Sequence, residues 1–207
     1  MANAVIYIHG QGGTPQEAQF YQQYFESDEV IGLDYSAQTP WEATAEFPAL
    51  FDSACKGHDT VTLIANSIGA FFSMTALDGR KISRAFFISP IVNMEKLILD
   101  MMSWAGVSEK ELHEKGEIET SFGQTLSWEY LSFVREHPVI WEAPTHILYG
   151  SQDNLTSFET VSEFARKTGA TLTVIENGEH WFHTEEQMRF LGQWLKEFSR
   201  NSSLLTE

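Results

Sequence analysis

The chain is poor in cations, cysteines and long apolar runs, and each shortage narrows what it does. Its 207 residues include 13 Lys and Arg against 29 Asp and Glu, a formal net charge of −16. A surface of that sign repels nucleic acid and anionic membranes, so neither is expected as a partner. One cysteine, Cys55, permits no intramolecular disulfide, and no Cys/His spacing of a structural zinc site occurs. A reducing compartment suits such a chain. No basic segment followed by an apolar stretch precedes the first β-like run, and no later run is long enough to cross a bilayer. The expectation is a cytoplasmic protein with no membrane tether. Internal repeats, low-complexity tracts and linkers rich in Gly or Pro are also missing. With 43% hydrophobic residues the chain can bury one large core, which predicts a single domain over residues 1–207. Nothing in the sequence signals an oligomeric state.

What is present is an alternation. Short β-branched or aromatic runs at Ala4 to Ile8, Val30 to Leu33, Thr60 to Ala65, Arg84 to Ile88, His146 to Tyr149 and Thr171 to Ile175 are separated by helical patterns. Such alternation predicts an α/β fold with a mostly parallel sheet, and near-continuous apolar strands are what burial on both faces requires. Helix starts are marked by Thr14 with Glu17, Thr156 with Glu159, and Thr184 with Gln187, each a hydroxyl three residues before a reciprocating side chain. Pro15 suits a first helical position. Met188, Leu191, Trp194, Leu195 and Phe198 form one stripe of a last helix, the spacing of a face packed on a sheet. The tail from Asn201 to Glu207 is expected to fray.

From about residue 91 to 143 the alternation stops, and helical stretches are expected around Lys96 to Trp104, Ser108 to Glu114 and Leu126 to Glu136. This reads as a helical cap inserted over the sheet. Its apolar members include Met101, Trp104 and Trp128, which either pack the cap onto the domain or line an apolar substrate pocket.

Ser67 lies in Ala65-Asn66-Ser67-Ile68-Gly69, directly after a β-like run and directly before the helical pattern Ala70, Phe71, Met74, Leu77. A sharp strand-to-helix turn there would be a nucleophile elbow, which thrusts its hydroxyl into the open and needs small residues two positions either side. Ala65 and Gly69 meet that need. A duller reading makes Ser67 an ordinary helix cap. As a nucleophile it needs a base to take its proton and a third group to orient the base. In parallel sheets reactive groups gather at the carboxyl ends of strands. Asp153 follows His146-Ile-Leu-Tyr149, and His180 follows Thr171-Leu-Thr-Val-Ile175, so both stand at that edge. Among the other histidines, His183 abuts the helix cap Thr184, His58 and His146 belong to the opposite end of the sheet, and His113 and His137 fall in the insertion.

In these features the chain resembles the α/β-hydrolase superfamily, over nearly all of Val5 to Phe198. That family orders its triad serine, acid, histidine, as Ser67, Asp153 and His180 stand here. The loop His9-Gly10-Gln11-Gly12-Gly13 matches the family's His-Gly loop, and the resemblance implies an oxyanion hole from the N–H groups of Gln11 and Ile68. Glu95, after Ser89-Pro90, is another position from which this fold can supply an acid, with Asp153 favoured. Ala65 replaces the usual first glycine of the elbow, and the chain begins where the family's third strand would stand. The resemblance therefore implies a compact six-stranded, doubly wound sheet lacking the first two strands, in the order 2-1-3-4-5-6.

The implied activity is that of a serine hydrolase acting on a carboxylic ester or thioester through an acyl-enzyme, with no cofactor and no metal, and a small acyl compound as substrate. Amide or peptide cleavage is a lesser alternative, and a protein-binding module with weak or lost hydrolysis is the other. Aspartate stands at the elbow in family members that displace halide or open epoxides, so Ser67 argues for acyl transfer. A dinucleotide site is excluded locally. Counted from Gly10, the pattern G-x-G-x-x-G would need glycine where Pro15 stands, although Asp34 ends the next strand about 20 residues on, as such a site requires.

Overall fold

Neighbouring residues of the first strand part company. In β1 (Asn3–Ile8), Ala4, Ile6 and Ile8 enter one buried cluster while Val5 and Tyr7 enter a second. Extended chain turns alternate side chains to opposite faces, so a strand apolar at every position must be covered on both. The computed structural model, which describes residues 3–200, continues this parity from strand to strand. After β2 (Glu29–Gly32), the strands β3 (Thr60–Asn66) and β4 (Arg84–Ile88) send Leu63, Ala65, Ala85 and Phe87 to the first cluster and Ile64, Phe86 and Ile88 to the second. A short antiparallel hairpin, β5 (Glu117–Glu119) with β6 (Thr125–Ser127), stands apart. The sheet resumes in β7 (Thr145–Gly150) and ends in β8 (Thr171–Ile175).

The sheet order is β2-β1-β3-β4-β7-β8, with every pair parallel. With the hairpin set aside, this is the expected 2-1-3-4-5-6. The expected strands are found within one residue at every end. Helices α1 (Ala18–Tyr21), α2 (Pro40–Ala54) and α3 (Ile68–Ala76) precede the segment between β4 and β7. That segment holds α4 (Met94–Ala105), α5 (Glu109–Lys115) and α6 (Trp128–Glu136), and two more helices, α7 (Phe158–Thr168) and α8 (Glu185–Arg200), follow it. Helices α2, α3 and α7 cover one face, and α1 with α8 cover the other. Leu191, Trp194 and Leu195 of the foreseen α8 stripe are buried, and Met188 and Phe198 pack partly on the same cluster. The expected frayed tail, Asn201 to Glu207, lies outside the described residues. Among the described residues no helix is long and apolar enough to cross a membrane.

The three helical stretches expected between β4 and β7 are present, but the hairpin between them was not expected. Its turn closes on Gly123, at φ 80°, with the Thr120 hydroxyl donating to the Gln124 carbonyl. Two three-residue strands are too short for alternation to show. Ile98, Leu112, Leu126 and Leu131 bury their side chains in the cluster shared with α2 and α3.

Capping follows the sequence at two of three places. Thr184 and Gln187 bond reciprocally, each backbone N–H donating to the other's side-chain oxygen at 3.2 Å, and the Thr14 N–H donates to Glu17 Oε1. Thr156 does not cap α7; Ser157 does, accepting from the Thr160 N–H. Thr156 is drawn inward, its carbonyl accepting from the Tyr149 hydroxyl at 2.8 Å.

Two outcomes are expected from this packing. Leu195→Ala removes a fully buried side chain and should cost about 2–5 kcal/mol in urea unfolding, while Arg189→Ala, on the exposed side of α8, should change little. His146 lies against Phe86 and Phe198, and burial, then Arg84, lowers its pKa. Its neutral form is the one the fold favours, so its contribution is present above the ordinary imidazole pKa of about 6.5 and is lost as pH falls below it. His146→Gln should therefore flatten the loss of stability between about pH 7 and 5; an unchanged slope would contradict this.

Candidate active site

The order of the sheet reverses at β1, whose neighbours β2 and β3 are reached on opposite sides, and the crevice beyond the strand ends at such a point is where open α/β sheets bind ligands. Ser67 stands there, between β3 and α3. Its backbone is at φ 53°, ψ −121°, a region that a residue with a side chain enters only when its surroundings force it. The forcing bonds are visible: the Ser67 N–H donates to the Ile88 carbonyl at 3.0 Å, and the Ser67 carbonyl accepts from Ile91 and Ala70, each at 3.1 Å.

Small neighbours are needed for the reason the sequence suggested. A methyl group at Gly69 would lie 2.4 Å from the His9 carbonyl oxygen, and one at Gly10 would lie 3.1 Å from Ser67 Cβ. The elbow is thus pressed onto the end of β1, and the loop His9 to Gly13 is held against it. His9 stacks on Tyr35 at 4.2 Å, and the Tyr35 hydroxyl donates to the His9 carbonyl at 2.8 Å. Burial first, then Glu17 and Glu46, pushes the Tyr35 phenol above its ordinary range, so it remains a donor. Ile68 opens α3, and its N–H is a first-turn donor without an intrahelical partner. Gln11 is exposed in the loop facing the elbow.

Ser67, Asp153 and His180, separated by up to 113 residues, meet in one line. Ser67 Oγ lies 2.8 Å from His180 Nε2, and His180 Nδ1 lies 2.7 Å from Asp153 Oδ2. A carboxylate only accepts, so the imidazole proton belongs on Nδ1, leaving Nε2 free to accept from the serine hydroxyl. The Asp153 side chain has no exposed surface and that of His180 is 14% exposed, whereas Ser67 is partly open. Asp153 Oδ1 accepts from the N–H groups of Leu155 and Thr156 at 2.8 and 3.0 Å, which locks the carboxylate in place. The loops bearing acid and imidazole are tied together as well: Gln152 N–H donates to the Gly178 carbonyl at 2.8 Å, and Asn177 N–H to the Ser151 hydroxyl at 2.8 Å.

The competing residues lie elsewhere. Glu95 pairs with Arg135 at 2.7 Å, and His183 stacks on Trp181. His58 pairs with Glu29, His113 stands edge-on to Trp128, and His137 stacks on Phe133. Cys55 is no rival nucleophile, since burial and then Asp52 push its thiol up to about 11.

A cavity of about 530 Å³ opens beside the His9–Gly13 loop, bounded by Gly10, Gln11, Asn66 and Trp181 among others. A second, of about 290 Å³, lies near Trp41, Met74 and Ile140, toward the far end of α3. Trp104, Trp128 and Met101 line neither. Trp104 is 52% exposed against Phe122, Trp128 stands against His113, and Met101 packs on the main core, so these contacts give no support to a substrate-lining role. Nothing in the spacing of the sequence marks Glu17, Phe20, Tyr21 and Trp181 as neighbours in the larger cavity. Glu17 has the spacing of a helix-start residue, and the adjacent rings Phe20-Tyr21 are the local signal of an aromatic lining.

No protein-family model and no curated protein matches the sequence. Solved structures do match. Est1E from Butyrivibrio proteoclasticus, also solved with ferulic acid bound, is 17% identical over 96% of this chain and 87% of its own in the first structure, with a TM-score of 0.75. Alpha/beta hydrolase domain-containing protein 10 from mouse is 16% identical over 96% of this chain and 90% of its own, TM-score 0.75. ClbQ from the colibactin NRPS/PKS pathway is 11% identical over 99% of this chain and all of its own, TM-score 0.59.

The packing at the site predicts that Asp153→Ala is destabilising apart from any effect on chemistry. It leaves two backbone N–H groups and the His180 ring without an acceptor, which should cost about 1–3 kcal/mol in urea unfolding. A midpoint equal to that of the unmodified protein would show that these bonds do not hold the loop.

Proposed function

We propose that this chain, which has the α/β-hydrolase fold, is a serine hydrolase that cleaves a small carboxylic ester or thioester. The observation carrying the reading is the continuous line from Ser67 Oγ through His180 to the enclosed Asp153 carboxylate, at 2.8 and 2.7 Å. In this mechanism His180 Nε2 takes the Ser67 proton as Oγ bonds to the substrate carbonyl carbon. The carbonyl oxygen gains the charge and sits between the N–H groups of Gln11 and Ile68. Collapse of the tetrahedral species breaks the bond to the alcohol or thiol, which leaves with the proton from His180. Water repeats the sequence on the acyl-serine, releasing the acid and returning the proton to Ser67. Asp153 keeps its charge throughout and steadies the imidazolium.

No step in this scheme calls on a metal or an organic cofactor. The segment from residue 91 to 143 is a helical insertion whose Ile98, Leu112, Leu126 and Leu131 pack in the cluster shared with α2 and α3. Two fixed dipoles aimed at the developing oxyanion are worth several kcal/mol each in such sites, which exceeds the cost of straining one serine.

A fluorophosphonate probe should label Ser67 in the folded protein, fail on Ser67→Ala and react far more slowly with His180→Ala. Hydrolysis of a short nitrophenyl ester should drop by about 10³-fold or more in either variant. Folded protein that neither reacts with the probe nor hydrolyses any ester or thioester would overturn the reading and favour a binding module.

A further inference from the structure

The larger cavity has one charged side chain in its lining, and that charge is negative. Glu17 is exposed at its edge, where Oε2 accepts from the Tyr7 hydroxyl at 2.5 Å and Oε1 accepts from the Thr14 N–H at 3.2 Å. Burial first, then Tyr21 and Glu17, pushes the Tyr7 phenol well above its ordinary range, so the proton of that bond stays on Tyr7. The two bonds fix the direction of the carboxylate without using all of its lone pairs.

The same cavity is lined by aromatic rings: Tyr7 and Tyr21, both buried, with centroids 4.9 Å apart, Phe20 edge-on to Tyr21 at 5.1 Å, and Trp181, 70% exposed. Ring faces and an oriented carboxylate attract the same guest, a cation, and they attract it more strongly when water is displaced. An anion would meet the carboxylate head-on. A plain alkyl chain would gain contact with Ile88, Phe182, Met188 and Leu191 of the lining, but it would strip water from Glu17 and leave that charge unpaired.

Position says which part of a substrate enters. Asn66 precedes the nucleophile, Gln11 holds a proposed oxyanion donor, and Trp181 follows the base. The leaving oxygen or sulfur must approach His180 Nε2 to collect its proton, so the group attached to it lies on the Trp181 side. Resting on the serine-hydrolase reading above, we propose that Glu17, with Phe20, Tyr21 and Trp181, forms a subsite for a cationic leaving group, selecting esters or thioesters of amino or quaternary-ammonium alcohols and thiols. The net charge of −16 would draw such substrates toward the surface as well.

The test compares acetylthiocholine with its uncharged carbon isostere, S-(3,3-dimethylbutyl) thioacetate. At low salt kcat/KM should favour the cation by about tenfold or more, mainly through KM, and the ratio should fall toward one in 0.5 M salt, in Glu17→Gln and in Trp181→Ala. Glutamine keeps an oxygen to accept from Tyr7 while losing the charge. In the unmodified protein tetramethylammonium should slow fluorophosphonate labelling of Ser67, and neopentyl alcohol at the same concentration should not. Equal turnover of both thioesters, a preference for the neutral one, or equal protection by the two small molecules would overturn the cation subsite while leaving the hydrolase in place. If neither thioester nor a nitrophenyl ester is cleaved and Ser67 stays unlabelled, the hydrolase reading falls and takes the subsite with it.

Discussion

The left-handed turn at Ser67 is the constraint around which the strand ends are arranged. A serine at φ 53° costs on the order of 1–3 kcal/mol relative to a relaxed backbone, and only a surrounding structure that offers no other path can hold it there. That path is closed by the bond from its N–H to β4 and by the contact of Gly69 with the end of β1. Both depend on β1, β3 and β4 lying side by side in register, with Ile8 opposite Ala65 and Asn66 opposite Ile88. The same turn that lifts the hydroxyl into the crevice starts a helix whose first free N–H belongs to Ile68. One strained residue thereby sets both the proposed nucleophile and half of the proposed oxyanion hole.

The acid and the imidazole reach this point by a different route. Neither lies on a strand; each hangs from a loop that extends a strand end, and the loops are bonded to each other before they meet the serine. Gly150 and Gly178 approach so closely that a methyl on Gly150 would lie 2.3 Å from the Gly178 carbonyl oxygen. Joining the loops in this way fixes the spacing from Asp153 to His180. The serine then needs to match only one position, Nε2. Enclosure of the carboxylate strengthens its bond to the ring, because a pair removed from water is screened less.

Much of the sheet was legible because its signal is local. β-Branched and aromatic runs bounded by turns identify strands without knowledge of their neighbours, and six were placed nearly to the residue. Ser67, Asp153 and His180 were legible for a related reason: strand ends in a parallel sheet share an edge, so chain position carries spatial information. What escaped was decided by packing. The β5/β6 hairpin is shorter than the period needed to reveal it. Thr156 has the sequence of a cap but is pulled inside by Tyr149, leaving Ser157 to cap the helix. Helix α2, with its Thr39 cap and a proline inside it, carried signals that went unread. Apolar composition alone does not separate packing from pocket lining: Trp104 stands 52% exposed against Phe122 and Trp128 against His113, and neither lines the cavity beside the glycine loop.

The most direct measurement is a crystal structure of the protein after reaction with a small fluorophosphonate. The proposed chemistry requires phosphorus bonded to Ser67 Oγ, with one phosphoryl oxygen about 2.7–3.1 Å from the backbone nitrogens of both Gln11 and Ile68 and His180 still bonded to Asp153. An adduct on another residue, or a phosphoryl oxygen turned away from both nitrogens, would contradict it.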